Sequence, residues 1–310
     1  MTADIINLDE ERIRRGDHIV RGTAADGMIR AIAITARDTV ESARSRHHSS
    51  PLVTAALGRL MMAAQMMAAM FKNPDELITL EVRGDGPVGG LTVTANNKGQ
   101  VKGFANHPNV WLPDKAPGKL DVGGGIGRGT LSVVRDLPGA NPYSSQTELV
   151  SGEIGDDLAA YFTLSDQIPT SVGVGVLVGT DLTVRQAGGF IVQLMPGYDD
   201  YLVDELEQRL SSITSVTSLL EQGLSPTAIL EHILGDLDYE ELEVSPAEFH
   251  CGCTKERAAR ATLALGKGDI LDMIRKAETA EVHCHFCGET YRFTPDELGE
   301  LLSRQGRSGL

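Results

Sequence analysis

All four cysteines of this 310-residue chain lie near its C-terminal end, as Cys251-Gly-Cys253 and Cys284-His-Phe-Cys287. The second pair has zinc-knuckle spacing: a tight turn lets both sulfurs face one ion, and Gly288 helps the backbone turn. For the first pair, an extended backbone would put residues i and i+2 on one face. Together the pairs can complete a tetrahedral four-sulfur shell. Borderline-soft zinc prefers thiolates, and such a shell leaves no open coordination position. No cysteine is left over. His250, His283 and His285 flank the ligands and can substitute for them. Four thiolates already satisfy zinc, so these histidines are expected nearby rather than on the metal.

A closed four-thiolate site is most simply a staple for a domain too small to hold itself together. Zinc contributes an apparent ~10–16 kcal/mol to small metal-dependent domains, comparable to their whole stability. The same magnitude permits a sharper reading. If the thiolates are oxidised and the metal is lost, the domain should unfold. Metal-bound sulfur stays deprotonated, the form that peroxide attacks, and closely spaced partners can then form disulfides. One across Cys251 and Cys253 would close a very short loop, which strains it and makes it readily reduced.

Other motifs do not reach a chemistry. DVGGGIGRGT at 121–130 lacks the lysine of a phosphate loop and fails G-x-G-x-x-G, so it reads as a loop entering a strand. Neither G-x-S-x-G nor H-E-x-x-H occurs. With the cysteines committed to metal, cysteine–histidine nucleophilic catalysis has no thiol to use. No catalytic residues are therefore assigned, and the chain does not read as an enzyme. Five methionines, Met61, Met62, Met66, Met67 and Met70, crowd the helix expected over 51–71. Methionine recurs at adaptable binding surfaces. Apolar residues on most sides favour a core helix packed on a sheet.

The length suggests about two domains on a prior of ~150 residues each. Apolar residues make up 41% of the chain, enough for a sizeable core. A net charge of −15 argues against nucleic acid as a general partner. The N-terminus lacks a signal-peptide apolar stretch, and no run of 18 apolar residues spans a membrane. The expected location is the cytoplasm, where thiols stay reduced and a cysteine cluster binds metal or senses redox state.

Residues 1–16 read as a loose polar tail. A strand is expected over 28–36, helices over 37–47 and 51–71, and short strands over 76–83, 89–95 and 100–105. GDGPVGG at 84–90 and NNKG at 96–99 supply the turns. Strands resume at 129–135, a mixed segment covers 143–165, and runs at 171–178 and 189–195 close the domain. Strands without regular helical crossovers indicate an α+β fold, mostly antiparallel, rather than a doubly wound one. Three domains follow: an N-terminal core over 1–197, an acidic helical linker over 198–247, and a small C-terminal zinc domain over 248–310. The linker holds 12 acids and one base, Arg209, whereas the core nets −3 and the zinc domain −1.

Within the linker, Leu202, Leu206, Leu210, Ile213, Val216 and Leu220 recur at helical spacings and line up one apolar stripe. Gly223 is a helix stop, and Ser225-Pro226 begins a further short helix ended by Gly235. A thin stripe under dense like charge makes a marginal fold, because self-repulsion opposes compaction. The plainest reading is a solvated interdomain linker.

Joined to these segments, the cysteine order resembles the redox-regulated heat-shock protein of thirty-three kilodaltons, a bacterial holdase chaperone family. EVRGDGPVGGLTVTANNKGQVKGF at 81–104 resembles its glycine-turn hairpins. LVSGEIGDDLAAYFTLSDQIPTSVGVGVLV at 149–178 resembles its most recognisable stretch, with Tyr161-Phe162 and Ser165-Asp166-Gln167. QAGGFIVQLMPG at 186–197 resembles the end of its N-terminal domain, and EVHCHFCGETYRF at 281–293 its second cysteine pair. The resemblance covers about residues 28 to 302. It implies a chaperone that holds unfolding client proteins without ATP. Zinc on Cys251, Cys253, Cys284 and Cys287 is then the inactive state. Peroxide or hypochlorite would form disulfides Cys251–Cys253 and Cys284–Cys287, release zinc, and unfold the C-terminal domain and linker. The active form would be a homodimer. His285-Phe286 stands where the family often has an acidic residue, which bears on switching rate but leaves the ligands intact. Two other classes compete: an adaptor module with a purely structural zinc site, and a thiol–disulfide oxidoreductase using Cys284-His-Phe-Cys287. The second would need a βαβ context and a free thiolate, and neither is apparent.

Overall fold

The computed structural model describes residues 8–305. The chain divides into two compact units, one ending at His250 and the other beginning at Cys251. The first contains α1 (Leu8–Arg14), β1 (His18–Ala24), β2 (Ile29–Thr35), α2 (Arg37–His47), α3 (Pro51–Ala68), β3 (Leu77–Gly84), β4 (Leu91–Asn96) and β5 (Gln100–Ala105). It continues through α4 (Val122–Ile126), β6 (Gly129–Asp136), β7 (Tyr143–Glu148), α5 (Gly155–Tyr161), a π-helical turn (Phe162–Asp166), β8 (Thr170–Val178) and β9 (Val184–Leu194). The acidic segment supplies α6 (Tyr201–Ser211), α7 (Val216–Glu221), α8 (Pro226–Leu234), a 3₁₀ turn (Gly235–Leu237) and β10 (Glu240–Pro246), and β11 (Glu248–Phe249) follows.

Two sheets result, ordered β10-β1-β2-β9-β8 and β11-β5-β4-β3-β6-β7. Every ladder in them is antiparallel except the short β11–β5 pairing, as the α+β reading anticipates. Helix α3 lies between the sheets, touching β3, β4 and β5 on one side and β8 and β9 on the other. Its sequence explains this place. Pro51 opens it, the Ser50 hydroxyl accepts the Val53 amide, and all its residues from Leu52 to Ala68 except Arg59 are buried. A helix apolar on all sides has to be enclosed. Met61, Met62 and Met66 are therefore core residues.

The structure corrects two sequence expectations and supplies detail that the sequence left open at two other places. Residues 8–14 form α1 rather than tail, held by Arg14 to Glu10 and Glu241, while residues 1–7 lie outside the described region. Strand β1 was not anticipated, because Arg21 and Gly22 interrupt its apolar run. The loop expected within 121–130 contains the short helix α4, capped by the Asp121 side chain on the Gly124 amide. The mixed segment resolves into β7, α5 and the π turn.

The acidic segment differs most from a solvated helical connection. Leu202, Leu206, Val216 and Leu220 are buried against Val20, Ala31, Ala33, Phe190 and Val192 of the first sheet, with Leu210 and Ile213 partly buried beside them. Small sheet residues admit the helices closely. A Cβ on Gly175 would lie 2.8 Å from Thr217 Cγ2, and one on Gly188 would lie 2.7 Å from Leu220 Cδ1. The segment's charge is also answered: Glu221 pairs with Arg185 and Glu243 with Arg21. Past Leu237 it is no longer helical, because alternating Glu241, Glu243 and Ser245 let β10 run along β1.

The second unit contains α9 (Lys255–Leu263), α10 (Lys267–Arg275), β12 (Ala280–His283), β13 (Thr290–Phe293) and α11 (Pro295–Gln305). Strands β12 and β13 form an antiparallel hairpin. Its buried core is small, centred on Ala258, Ala259, Ile270, Ala280, Phe293 and Leu298. So few apolar side chains leave a domain in need of a further tie.

Candidate metal centre

The hairpin carries one pair of sulfurs. At its tip the Cys287 and Gly288 amides both donate to the Cys284 carbonyl, and the Cys284 amide donates to the Glu289 carbonyl. Gly288 adopts φ +72°, which a side chain would resist, so the glycine after the second cysteine is what closes this turn. The other pair precedes α9. Gly252 adopts φ +56°, so Cys251-Gly-Cys253 is a left-handed turn and not the extended stretch expected from its spacing. Both routes converge the sulfurs, but only glycine takes the turned one without strain. Thr254 then caps α9 by accepting the Arg257 amide, and the Arg257 guanidinium donates to the Gly252 carbonyl. The Cys251-Gly-Cys253 turn is thereby fixed from its C-terminal side.

These turns bring all four sulfurs within 4.8 Å of one another. Cys251 Sγ is 3.6 Å from Cys284 Sγ, and Cys253 Sγ is 3.2 Å from Cys287 Sγ. An ideal tetrahedron of sulfurs at ~2.3 Å from a metal has edges of roughly 3.8 Å. The cluster is close to that size, and it can hold a metal ion. Cys287 is buried and the other three are partly accessible.

Without a cation the cluster cannot be fully ionised, since four like charges would crowd one another. Burial pushes the Cys251 thiol up to about 11 and the Cys287 thiol higher still. Burial opposes ionisation of Cys253 as well, but hydrogen bonds from the Tyr291 hydroxyl and the neighbouring cysteines outweigh it and hold this thiol below its ordinary value. Tyr291 Oη donates to Cys253 Sγ at 3.2 Å. Sequence reasoning missed Tyr291. Its position on β13, opposite Val282, follows from the hairpin register, which places it within reach of a sulfur. The three histidines do not join the donor cluster: His283 Nδ1 meets the Thr290 hydroxyl, His283 packs edge-on against His285, and the His250 amide donates to Val101. Among the described residues no helix is long and apolar enough to cross a membrane.

Known proteins resemble this chain over nearly its full length. Residues 17–294 match the sequence model of the family described as Hsp33 protein. A 33 kDa chaperonin of Agathobacter rectalis is 51% identical over 92% of this chain and 99% of its own length. The 33 kDa chaperonin of Bacillus subtilis is 46% identical over 94% of this chain and all of its own. The crystal structure of a 33 kDa chaperonin from Thermotoga maritima superposes with a TM-score of 0.86 at 37% identity, covering 94% of this chain and 99% of that one. With its α+β fold, its clustered cysteines and these relatives, the chain belongs to the Hsp33 family.

Proposed function

We propose that this chain is a redox-switched, ATP-independent holdase of the bacterial cytoplasm, inactive while zinc is bound and active once its four cysteines are oxidised. The observation that carries the reading is the closed cluster of four sulfurs, contributed by two separate turns of a unit whose own core is small. Zinc, when bound, would keep Cys251, Cys253, Cys284 and Cys287 as thiolates and tie both turns to one point. Tyr291 steadies Cys253 from outside that shell.

Oxidation then follows from the sulfurs themselves. Each thiolate pair gives up two electrons and forms one S–S bond, and one peroxide accepts those electrons with two protons from solvent to become two waters. The pairing proposed is Cys251–Cys253 and Cys284–Cys287. Disulfide sulfur is no longer a thiolate donor, so the tie is lost and the small unit unfolds. The acidic segment over 198–247 would follow and uncover Leu202, Leu206, Leu210, Ile213, Val216 and Leu220 for client proteins. Relatives named chaperonins support client binding, and no catalytic role is proposed. The oxidised form is proposed to act as a homodimer.

The test measures bound zinc, free thiols and suppression of client aggregation before and after peroxide at heat-shock temperature. Zinc release together with gained activity is expected. Zinc that resists peroxide with no change in activity would point instead to an adaptor with a structural metal site. Peptide mapping of the oxidised protein checks the pairing. Close sulfur separations also run across the pairs, Cys251 to Cys284 at 3.6 Å and Cys253 to Cys287 at 3.2 Å, and disulfides there would overturn it.

A further inference from the structure

Two sequence features remain outside this switch: the C-terminal end of the methionine helix and the stretch Tyr161 to Gln167. They meet around one cavity of about 200 Å³ in the first unit. Met67, Met70, Phe71, Phe162 and Ile168 form its apolar wall. The π turn closes one side, ending at Gln167 with φ +57°. Such single π turns recur at functional sites, because they re-aim the side chains around them.

The polar groups of the cavity are unequal. Arg135 is committed: it pairs with Glu76 at 2.6 Å and stacks over Phe71 with 4.6 Å to the ring centroid. The Tyr161 hydroxyl bonds Ser145 Oγ at 3.1 Å, and the Asp166 carboxyl, held up by burial, is drawn toward the charge of Arg135. Arg30 is different. It is half-buried on β2, and among the described residues it has no carboxylate partner. Among the described residues its side-chain hydrogen bonds are long ones, to Met70 Sδ at 3.7 Å and Gln193 Oε1 at 3.5 Å. Burial and the neighbouring Arg21 both weigh against its charge. A partly desolvated guanidinium with an open planar fork is matched by a carboxylate, which accepts two parallel hydrogen bonds. Thioether and aromatic walls beside it suit an aromatic or branched apolar group. The volume is below the ~300–1,000 Å³ of drug-sized pockets, so one such group and its carboxylate fill it.

We infer that this cavity is a binding site for a small apolar carboxylate, with the carboxylate on Arg30 and its ring or branched chain against Met67, Met70 and Phe162. The chemistry is shared by free aryl or branched-chain acids and by the carboxy-terminal residue of an unfolded polypeptide ending in an apolar side chain.

The experiment uses the full zinc-loaded chain labelled with ¹³C at methionine methyls. It is titrated with 3-phenylpropionate, with 3-phenylpropionamide, with a tetrapeptide ending in free phenylalanine, and with that peptide amidated. Shifts at Met67 and Met70, with Met61 and Met62 unmoved, are expected for the acids, and the amides should bind about tenfold more weakly or worse. Binding of both acids assigns the site to chain ends as well as small acids, and binding of phenylpropionate alone assigns it to free acids. Arg30→Gln should weaken the acids to the level of the amides. Arg30→Lys, which keeps the charge but not the fork, should lie between and guards against misfolding of the first variant. Equal binding of acids and amides, or no shift at Met67 and Met70, overturns the site.

Discussion

Gly175→Ala tests how the acidic segment is held. Gly175 lies in β8, and the three atoms nearest a Cβ there all belong to Thr217 of α7, with Cγ2 at 2.8 Å and the Thr217 amide nitrogen at 3.5 Å. Carbon atoms at ease sit ~3.5–4.0 Å apart, so α7 must move outward by roughly an ångström or Thr217 must rotate. Rotation is opposed by the Thr217 hydroxyl, which bonds Ser215 Oγ at 3.2 Å. Overpacking of this kind costs ~1–3 kcal/mol, which raises the undocked population of α7 by roughly 5–150-fold. The strand itself should not suffer, since alanine in a strand interior is favoured over glycine by ~0.5–1 kcal/mol. Hydrogen exchange on the reduced, zinc-loaded variant should therefore show lost protection over α6 and α7 with β2 and β9 unchanged. Gly175→Ala with Thr217→Ser, which removes Cγ2 and keeps the hydroxyl, should restore it. On the proposed function, the single variant also gains client-holding activity without oxidant. Unchanged protection in Gly175→Ala, or no rescue in the double variant, would refute the steric argument. Lost protection without gained activity would leave the packing intact and separate undocking of this segment from client binding.

Tyr291→Phe removes the hydrogen bond to Cys253 Sγ, so its sulfur becomes more nucleophilic; zinc stoichiometry should hold while peroxide-driven zinc release accelerates by about two- to tenfold, read with a zinc dye. Leu206→Ser with Ile213→Ser keeps the charge of the segment and removes part of its stripe; client-holding after oxidation should fall, and an unchanged value would remove the stripe from client binding. Burial pushes the Asp17 carboxyl up to about 6, against hydrogen bonds from the Thr39 amide and hydroxyl. Between about pH 6 and the ordinary carboxylate range the folded chain thus binds a proton that the unfolded chain does not, so this site contributes stability at low pH that is lost as pH rises through 6. Urea unfolding should show Asp17→Asn gaining about 1–3 kcal/mol relative to the parent between pH 4 and pH 7, and a flat difference would contradict the burial argument.

Much of the first unit was legible because its signals are local. Period-two alternation marked β3, β4 and β5, Ser50-Pro51 marked the start of α3, and the two short cysteine spacings marked the cluster that can hold a metal ion. What stayed hidden depends on partners distant in sequence. β1 carries Arg21 and Gly22 within its apolar run, and it is a strand because β2 and β10 flank it; Gly22 is needed where Tyr239 approaches. β10 is acidic on its own and becomes a strand only beside β1.

The two cysteine pairs, the α+β class and the apolar stripe of the acidic segment were therefore determined by the sequence alone, because short spacings set which side chains can meet. Only the tertiary structure decided that the stripe is docked, on a sheet face kept low by Ala31, Ala33, Gly175 and Gly188, and that Gly252 turns rather than extends. Charge along the segment argued for a solvated connection. Burial of Leu202, Leu206, Val216 and Leu220 outweighs that charge because hydrophobic gain scales with the area removed from water, while the carboxylates stay hydrated at the surface or reach Arg21 and Arg185.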